Sequence, residues 1–409
     1  MGKKLSILFI SEYFPPKVMG GGEINLFLIT KALVKKKIEV IVLTSSHKGL
    51  KEYELMDGVK VYRRLKTGDD AYTLLNNLKR SFTYPKSIIE ETSKMINEIN
   101  IDLIHFIGTS IITAKELSKL AIPLVSTIES YPTMCPKGDR LYNGEQECKK
   151  VCNFSMFVKC QMKSKEIGKM KNKWFLKYNP IAWIYLYWFY KNLNEGLKYS
   201  TNIAISNYID RLLQKHGSKG IVIPNAINTS QFYKQKNKNK KKKILYLGSY
   251  TQFKGPQILL KAIKGTNYHC DLYGQGSMKE ELKEMINKDK LDAEVHEVVS
   301  YEEIPRLYAE TDVVVFPSLW PEPFGRISIE AMAAGKLVIG SDVGGISETI
   351  KPGTGILVEP NNPSKLVKAI NKALKIKFNN KISETIVKQY EEKIIIEKLV
   401  KTYNTILEQ

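Results

Sequence analysis

The 409-residue sequence lacks a long apolar run. Its longest, IAWIYLYWFY at 181–190, is about half of what a bilayer crossing needs, so no membrane span is expected. Lys3 and Lys4 precede only the short run LSILFI before Ser11 and Glu12, so no secretory leader is expected either. No Asp-x-Asp occurs anywhere, which argues against a diphosphate held through a metal bridge. Acid is in short supply: 42 Asp and Glu stand against 63 Lys and Arg, a net charge of +21. That excess points to a polyanion, with nucleic acid and an anionic membrane surface as candidates. No zinc-finger, RNA-recognition or helix-turn-helix signature accompanies it, and the excess is mostly lysine, so nucleic acid is not expected as a partner. There is no tandem repeat. A hydrophobic share of 43% and a charged share of 26% describe a soluble globular chain long enough for two cores.

What is present is concentrated in 321–348, PEPFGRISIEAMAAGKLVIGSDVGGISE. Glu322 and Glu330 flank a Pro-Phe-Gly turn that should open a helix near Arg326. The first N–H groups of such a helix, at Phe324, Gly325 and Arg326, lack carbonyl partners, and with the helix dipole they seat an anion. Gly325 lets the backbone approach closely, and Glu330, one turn in, can accept hydrogen bonds from vicinal hydroxyls. An anion seat between two hydroxyl-binding acids suits a nucleotide-sugar.

Two halves of alternating strand and helix signals follow one another, the pattern of parallel doubly wound sheets. In the first, strands are expected at 5–10, 39–43, 102–106, 123–127, 202–205 and 221–223, with a helix over about 23–35. In the second they are expected at 243–248, 270–273, 294–299, 313–317 and 337–341. The boundaries read as an N-terminal domain at 1–233, a hinge at 234–243, a C-terminal domain at 244–390 and a closing helix at 391–409. The hinge, KQKNKNKKKK, has seven lysines in ten positions and cannot pack in a core.

The 321–348 segment resembles the E-x7-E signature of retaining glycosyltransferases of family 4, and GTGILVEPNNP downstream fits the same family. The resemblance covers most of the chain and is strongest over 248–363. It implies the GT-B fold, two Rossmann-like α/β domains facing each other across a cleft, with the last helix crossing back to the first domain. It also implies transfer of a sugar from a UDP- or GDP-sugar to a hydroxyl with retention at the anomeric carbon. The acceptor would be a glycan or lipid-linked molecule of cell-surface polysaccharide, glycolipid or glycoprotein assembly. On this resemblance Glu330 holds the donor ribose and Glu322 the sugar hydroxyls, with the N–H groups of Phe324 and Gly325. Lys254, in GSYTQFKG, stabilises the departing diphosphate. Ser249 stands where the family has Arg. Gly274 belongs to the loop flanking the nucleotide, and Val299 and Ser300 line the base pocket. No cofactor is implied for catalysis.

On the acceptor side the resemblance points to Gly21 and Gly22, while His105 fits either a catalytic or a buried strand histidine. STIESYPTMCPKGD resembles a subgroup with His-Asp where this chain has Glu129 and Ser130. A carboxylate there can accept sugar hydroxyls or approach an oxocarbenium-like transition state, but cannot donate as histidine does unless its pKa is raised. Cys135, Cys148, Cys152 and Cys160 follow within 26 positions. Structural zinc or an iron–sulfur cluster and free thiols both stay open for them. At helical spacing Trp183, Tyr187 and Tyr190 form one stripe and Ile184 and Trp188 another. Core packing and a membrane interface are both consistent with these stripes. The expected location is cytoplasmic, with peripheral attachment to the inner face of the cell membrane open. Two other readings remain: a non-catalytic nucleotide-sugar-binding partner, and a basic module for membranes or nucleic acid.

Overall fold

The structure, a computed structural model, describes residues 4–18, 20–67, 74–142, 146–164, 178–232 and 242–408. The chain divides into two compact units. One holds Met1–Gly144, Lys149–Ala226 and Glu392–Gln409; the other holds Ile227–Glu391 with Glu145–Cys148. Most of the lysine-rich hinge lies outside the described residues.

The first unit's sheet contains β1 (Ser6–Ile10), β2 (Glu39–Ser45), β3 (Tyr53–Met56), β4 (Val59–Leu65), β5 (Leu103–Ile107), β6 (Leu124–Ile128), β9 (Thr201–Ala204) and β10 (Gly220–Val222). The very short β7 (Leu141–Tyr142) and β8 (Gln146–Glu147) lie outside it. The strand order is β10-β9-β6-β5-β1-β2-β4-β3. Every neighbour pair is parallel except β3 with β4. That antiparallel hairpin has no counterpart in the sequence reading, although Asp57-Gly58, both at positive φ, is a strong two-residue hairpin signal. β1 and β6 are buried at every position, as strands covered on both faces must be. The Glu392–Leu407 helix packs Ile395, Ile396, Leu399 and Tyr403 into the same core as Ile7 and Phe9.

The second unit carries β11 (Lys243–Leu247), β12 (His269–Tyr273), β13 (Ala293–His296), β14 (Val313–Phe316), β15 (Leu337–Ser341) and β16 (Gly355–Val358). These form an all-parallel sheet in the order β13-β12-β11-β14-β15-β16. Two expectations shift here: β13 ends at His296 instead of Val299, and β16 is an additional edge strand. The chain leaves β11 first toward β12 and later returns to its other side at β14. The crevice beyond the carboxyl ends of β11 and β14 is therefore the topological switch point, where open α/β sheets bind ligands.

The aromatic helix Pro180–Gly196 separates its two stripes. Tyr190 is buried, and Tyr187 packs against Phe154 and Phe157. Ile181, Ile184 and Trp188 stay exposed, and Trp188 stacks on the exposed Phe82 at 5.7 Å. One stripe is packed inward, buried at Tyr190 and half-buried at Trp183 and Tyr187, and the other is surface.

Candidate functional site

The second unit's site grows from two loops on either side of its switch point. After β11 the chain runs through Gly248 and Ser249 into a short turn ending at Lys254 and Gly255. Gly255 has φ +77°, and a Cβ there would collide with the Pro317 carbonyl oxygen, so only glycine lets this turn lie against the loop after β14. That loop leans back, donating the Leu319 and Trp320 N–H groups to the Phe253 carbonyl at 2.7 and 3.0 Å. Lys254 Nζ thereby meets Glu322 Oε1 at 2.5 Å and sits 4.2 Å from the centre of the Trp320 ring. Both side chains are partly exposed, 22% and 13%, so the pair is reachable by a ligand.

Glu322 leads directly into the anion seat. Gly325, at φ +89°, precedes the helix Arg326–Ala333, whose first amides have no helical acceptor. Phe324 turns its ring inward against Tyr390 at 5.4 Å, leaving only its backbone to serve a ligand. The turn rests on Gly344 and Gly345: the Gly345 N–H donates to the Glu322 carbonyl at 2.6 Å, and a Cβ on Gly344 would strike Glu322 backbone. The two glycines were visible in the sequence as part of SDVGG, but their place under Glu322 was not.

Glu330 is deeper than its spacing suggests. It is 3% exposed, with Oε1 taken by Arg326 Nε at 2.7 Å and Tyr301 Oη at 2.8 Å, and Oε2 by Tyr308 Oη at 3.2 Å. Arg326 also donates to Tyr301 Oη at 2.7 Å. Burial and the Glu330 carboxylate push the Tyr301 hydroxyl above its ordinary range. A ribose that reaches Glu330 has to replace one of these tyrosine bonds, and sequence spacing carried no signal for either tyrosine.

The nucleotide-side loops converge as well. Gly248 donates to the Tyr273 carbonyl and Tyr250 to the Gln275 carbonyl, and a Cβ on Gly274 would sit on the Gly248 carbonyl. The Ser249 carbonyl accepts from Tyr246 Oη at 2.8 Å, and its hydroxyl lies 3.2 Å from Thr251 Oγ1. Val299 lies past the end of β13, and the Ser300 N–H is taken by Glu303 Oε2 at 3.2 Å.

In the first unit, Gly22 and Glu129 come together from distant segments. The helix Gly21–Lys35 starts after Gly20, whose N–H donates to Glu23 Oε2 at 2.8 Å. A Cβ on Gly22 would lie 2.6 Å from Glu129 Oε2, so the missing side chain is what admits the carboxylate to the helix's first turn. Asn25 holds Glu129 Oε1 at 3.2 Å and accepts the Ala226 N–H at 3.0 Å. Gly21 is exposed beside it.

His105 is a core residue. It is 1% exposed at the centre of β5, with Nδ1 on Tyr403 Oη and Nε2 on Thr127 Oγ1, both at 2.7 Å. Burial lowers its pKa from the ordinary value to about 3. The imidazole is thus neutral with both nitrogens engaged, the buried-strand arrangement of the two that the sequence left open. Cys135 and Cys152 are half-buried, and Cys160 and Cys270 are buried. Cys160 donates to the Leu141 carbonyl at 3.6 Å, while Cys148 is half-buried.

The comparisons agree with this geometry. Residues 19–231 match the family described as Glycosyltransferase Family 4, and residues 228–392 match Glycosyl transferases group 1. An uncharacterized glycosyltransferase of Methanocaldococcus jannaschii is 25% identical over 401 residues, 90% of this chain and 89% of that protein. Sucrose-phosphate synthase of Thermosynechococcus elongatus superposes with a TM-score of 0.77 at 20% identity, covering 98% of this chain and 99% of that one. Anabaena HepE in complex with UDP-glucose does so with a TM-score of 0.68 at 18% identity, over 98% and 100% of the two chains.

Proposed function

The chain belongs to glycosyltransferase family 4 and has the GT-B type of α/β fold, and from that premise we propose that it moves a sugar from a nucleoside diphosphate to a hydroxyl with retention at the anomeric carbon. The observation that carries this reading is the Lys254–Glu322 pair at the mouth of the Arg326–Ala333 helix, beside the β11/β14 switch point. A diphosphate fits there because the helix amides and the Lys254 ammonium both favour its negative charge. As the glycosidic bond breaks, charge grows on the leaving phosphate and the same groups stabilise it more strongly. Glu322 then orients the sugar hydroxyls, the Phe324 and Gly325 amides contribute beside it, and Glu330 takes the ribose in exchange for Tyr301. Gly274, Ser249, Val299 and Ser300 flank the nucleotide.

A UDP-sugar is the first donor to test, with GDP-sugars next, because Anabaena HepE has been solved with UDP-glucose. On the acceptor side Glu129 accepts hydroxyls, with Gly21 and Gly22 beneath them. A glycan or lipid-linked acceptor in cell-surface assembly suits a chain of net charge +21 whose Ile181, Ile184 and Trp188 stay exposed. Co-sedimentation with anionic vesicles, and its loss in Trp188→Ser, tests that attachment to a cytoplasmic membrane face.

Binding and slow hydrolysis of UDP-, GDP- and ADP-sugars, with wild type and Lys254→Met side by side, tests the central reading. One donor bound and hydrolysed, with hydrolysis lost in the variant, supports transfer. Binding with no turnover on any acceptor favours a non-catalytic nucleotide-sugar partner. No donor bound at all overturns both.

A further inference from the structure

The edge of the second unit's sheet carries a pattern that sugar transfer does not use. β12 reads His269-x-Asp271, and the segment entering and forming β13 reads Asp292-x-Glu294-x-His296. Strand residues two apart share a face, and the parallel register sets Asp271 beside Glu294 and Tyr273 beside His296. The donor atoms converge accordingly. His296 Nε2 lies 2.8 Å from Asp271 Oδ1 and 3.7 Å from Glu294 Oε2, and His269 Nε2 lies 3.2 Å from the same Asp271 oxygen.

Bonds of about 2.0–2.2 Å in a tetrahedral zinc site place ligand atoms about 3.3 Å apart, within the observed range. The supporting contacts match those of a metal centre as well. His269 Nδ1 meets Asp292 Oδ1 at 2.9 Å, the carboxylate contact that fixes the tautomer of a ligating imidazole and aims its Nε2. Lys243 Nζ holds Asp271 Oδ2 at 2.6 Å, leaving Oδ1 turned toward the imidazoles. Two imidazoles with two carboxylates suit zinc or a neighbouring divalent transition metal better than calcium or magnesium.

We propose that Asp271, Glu294 and His296, whose ligand atoms lie within 4.8 Å of one another, form a binding site for a divalent transition metal, zinc by its ligand set, that draws in His269 through its contact with Asp271 and clamps β12 to the edge strand β13. Tyr273 stacks on His296 at 4.3 Å and continues directly into Gly274, so the metal steadies the root of the nucleotide-side loop. Its role is structural, and its presence does not depend on which donor or acceptor the protein uses.

The experiment is a zinc titration of untagged, chelator-stripped full-length protein against a chromogenic chelator, repeated with Co²⁺ for its spectrum. One tight site per chain is expected, weakened at least tenfold in His296→Ala and His269→Ala. The cobalt form should show visible d–d bands without the strong near-ultraviolet band of thiolate ligation. Glu294→Gln, at the most exposed ligand, should weaken binding with folding intact, judged by circular dichroism. The proposal is overturned by the absence of stoichiometric binding, or by equal affinity in wild type and His296→Ala. Binding lost in Cys135→Ser or Cys152→Ser, with thiolate charge transfer, also overturns it by placing the metal on the thiols.

Discussion

The candidate residues of the two units are held in opposite ways. In the second unit they sit on two loops flanking the switch point and on the helix that follows, and each is fixed by a charged partner: Lys254 by Glu322, Glu330 by Arg326. In the first unit the contact is made by an absence. Glu129 reaches the first turn of the Gly21–Lys35 helix because Gly22 has no Cβ, while His105 lies buried in β5. Charge pairing fixes Lys254, Glu322 and Glu330 before any ligand arrives. Glu129 is held by the neutral Asn25 amide in room that Gly22 leaves, so the first-unit candidates should tolerate change better and, on the proposed function, tune specificity more.

The sharpest way to break that contrast is Glu330→Gln. With the carboxylate gone, the Arg326 guanidinium, 14% exposed, loses its charge partner, a change that typically costs about 3–5 kcal/mol. A marked fall in melting temperature with loss of donor binding is expected by calorimetry. A variant as stable as wild type would show that Tyr301 and Tyr308 suffice to hold the helix start.

Lys254→Met should leave the fold intact, because the side chain is partly exposed, while lowering kcat/KM about 100-fold through weaker stabilisation of the leaving diphosphate. The fall should lie mainly in kcat. A rise in KM alone would make Lys254 a ground-state binder.

The first unit should respond most clearly to pH. His105 is neutral in the fold, with its pKa lowered to about 3 by burial, while an unfolded chain protonates it near its ordinary value. Below about pH 6.5 the unfolded state therefore binds the extra proton, and stability falls as pH falls. The loss approaches about 1.4 kcal/mol per pH unit between roughly pH 6 and 4. Denaturant midpoints of wild type and His105→Gln should diverge in that window, and parallel curves would refute a neutral buried imidazole.

The smallest effect is expected from Gly22→Ala. The new methyl displaces the Glu129 carboxylate, so acceptor turnover should drop several-fold while donor binding and melting temperature stay near wild type. Kinetics with donor and acceptor varied separately would check it.

Much of this was legible in the sequence because it is local. Strand positions in both halves, the helix start at Arg326 and the glycines that let backbones close up follow from periodicity and turn chemistry over a few residues. Glu322, Lys254 and Glu330 stood out because their neighbours carry a dense signature. The β3–β4 hairpin was readable from Asp57-Gly58 and was missed in a stretch with weak family likeness. The two aromatic stripes were equivalent on the helical wheel, and only packing against Phe154 and Phe157 turned one of them inward.

By itself the sequence determined the two-part α/β plan, the glycosyltransferase class and the helix start at Arg326 with its flanking glutamates, since each depends on short-range spacing. Tertiary structure decided which residues meet across long intervals. It set Tyr301 and Tyr308 on Glu330, Glu129 against Gly22, and His105 between Thr127 and Tyr403. It also gathered His269, Asp271, Glu294 and His296 at one sheet edge. Strand order and register create such meetings, and neither is written in the local pattern of any one strand.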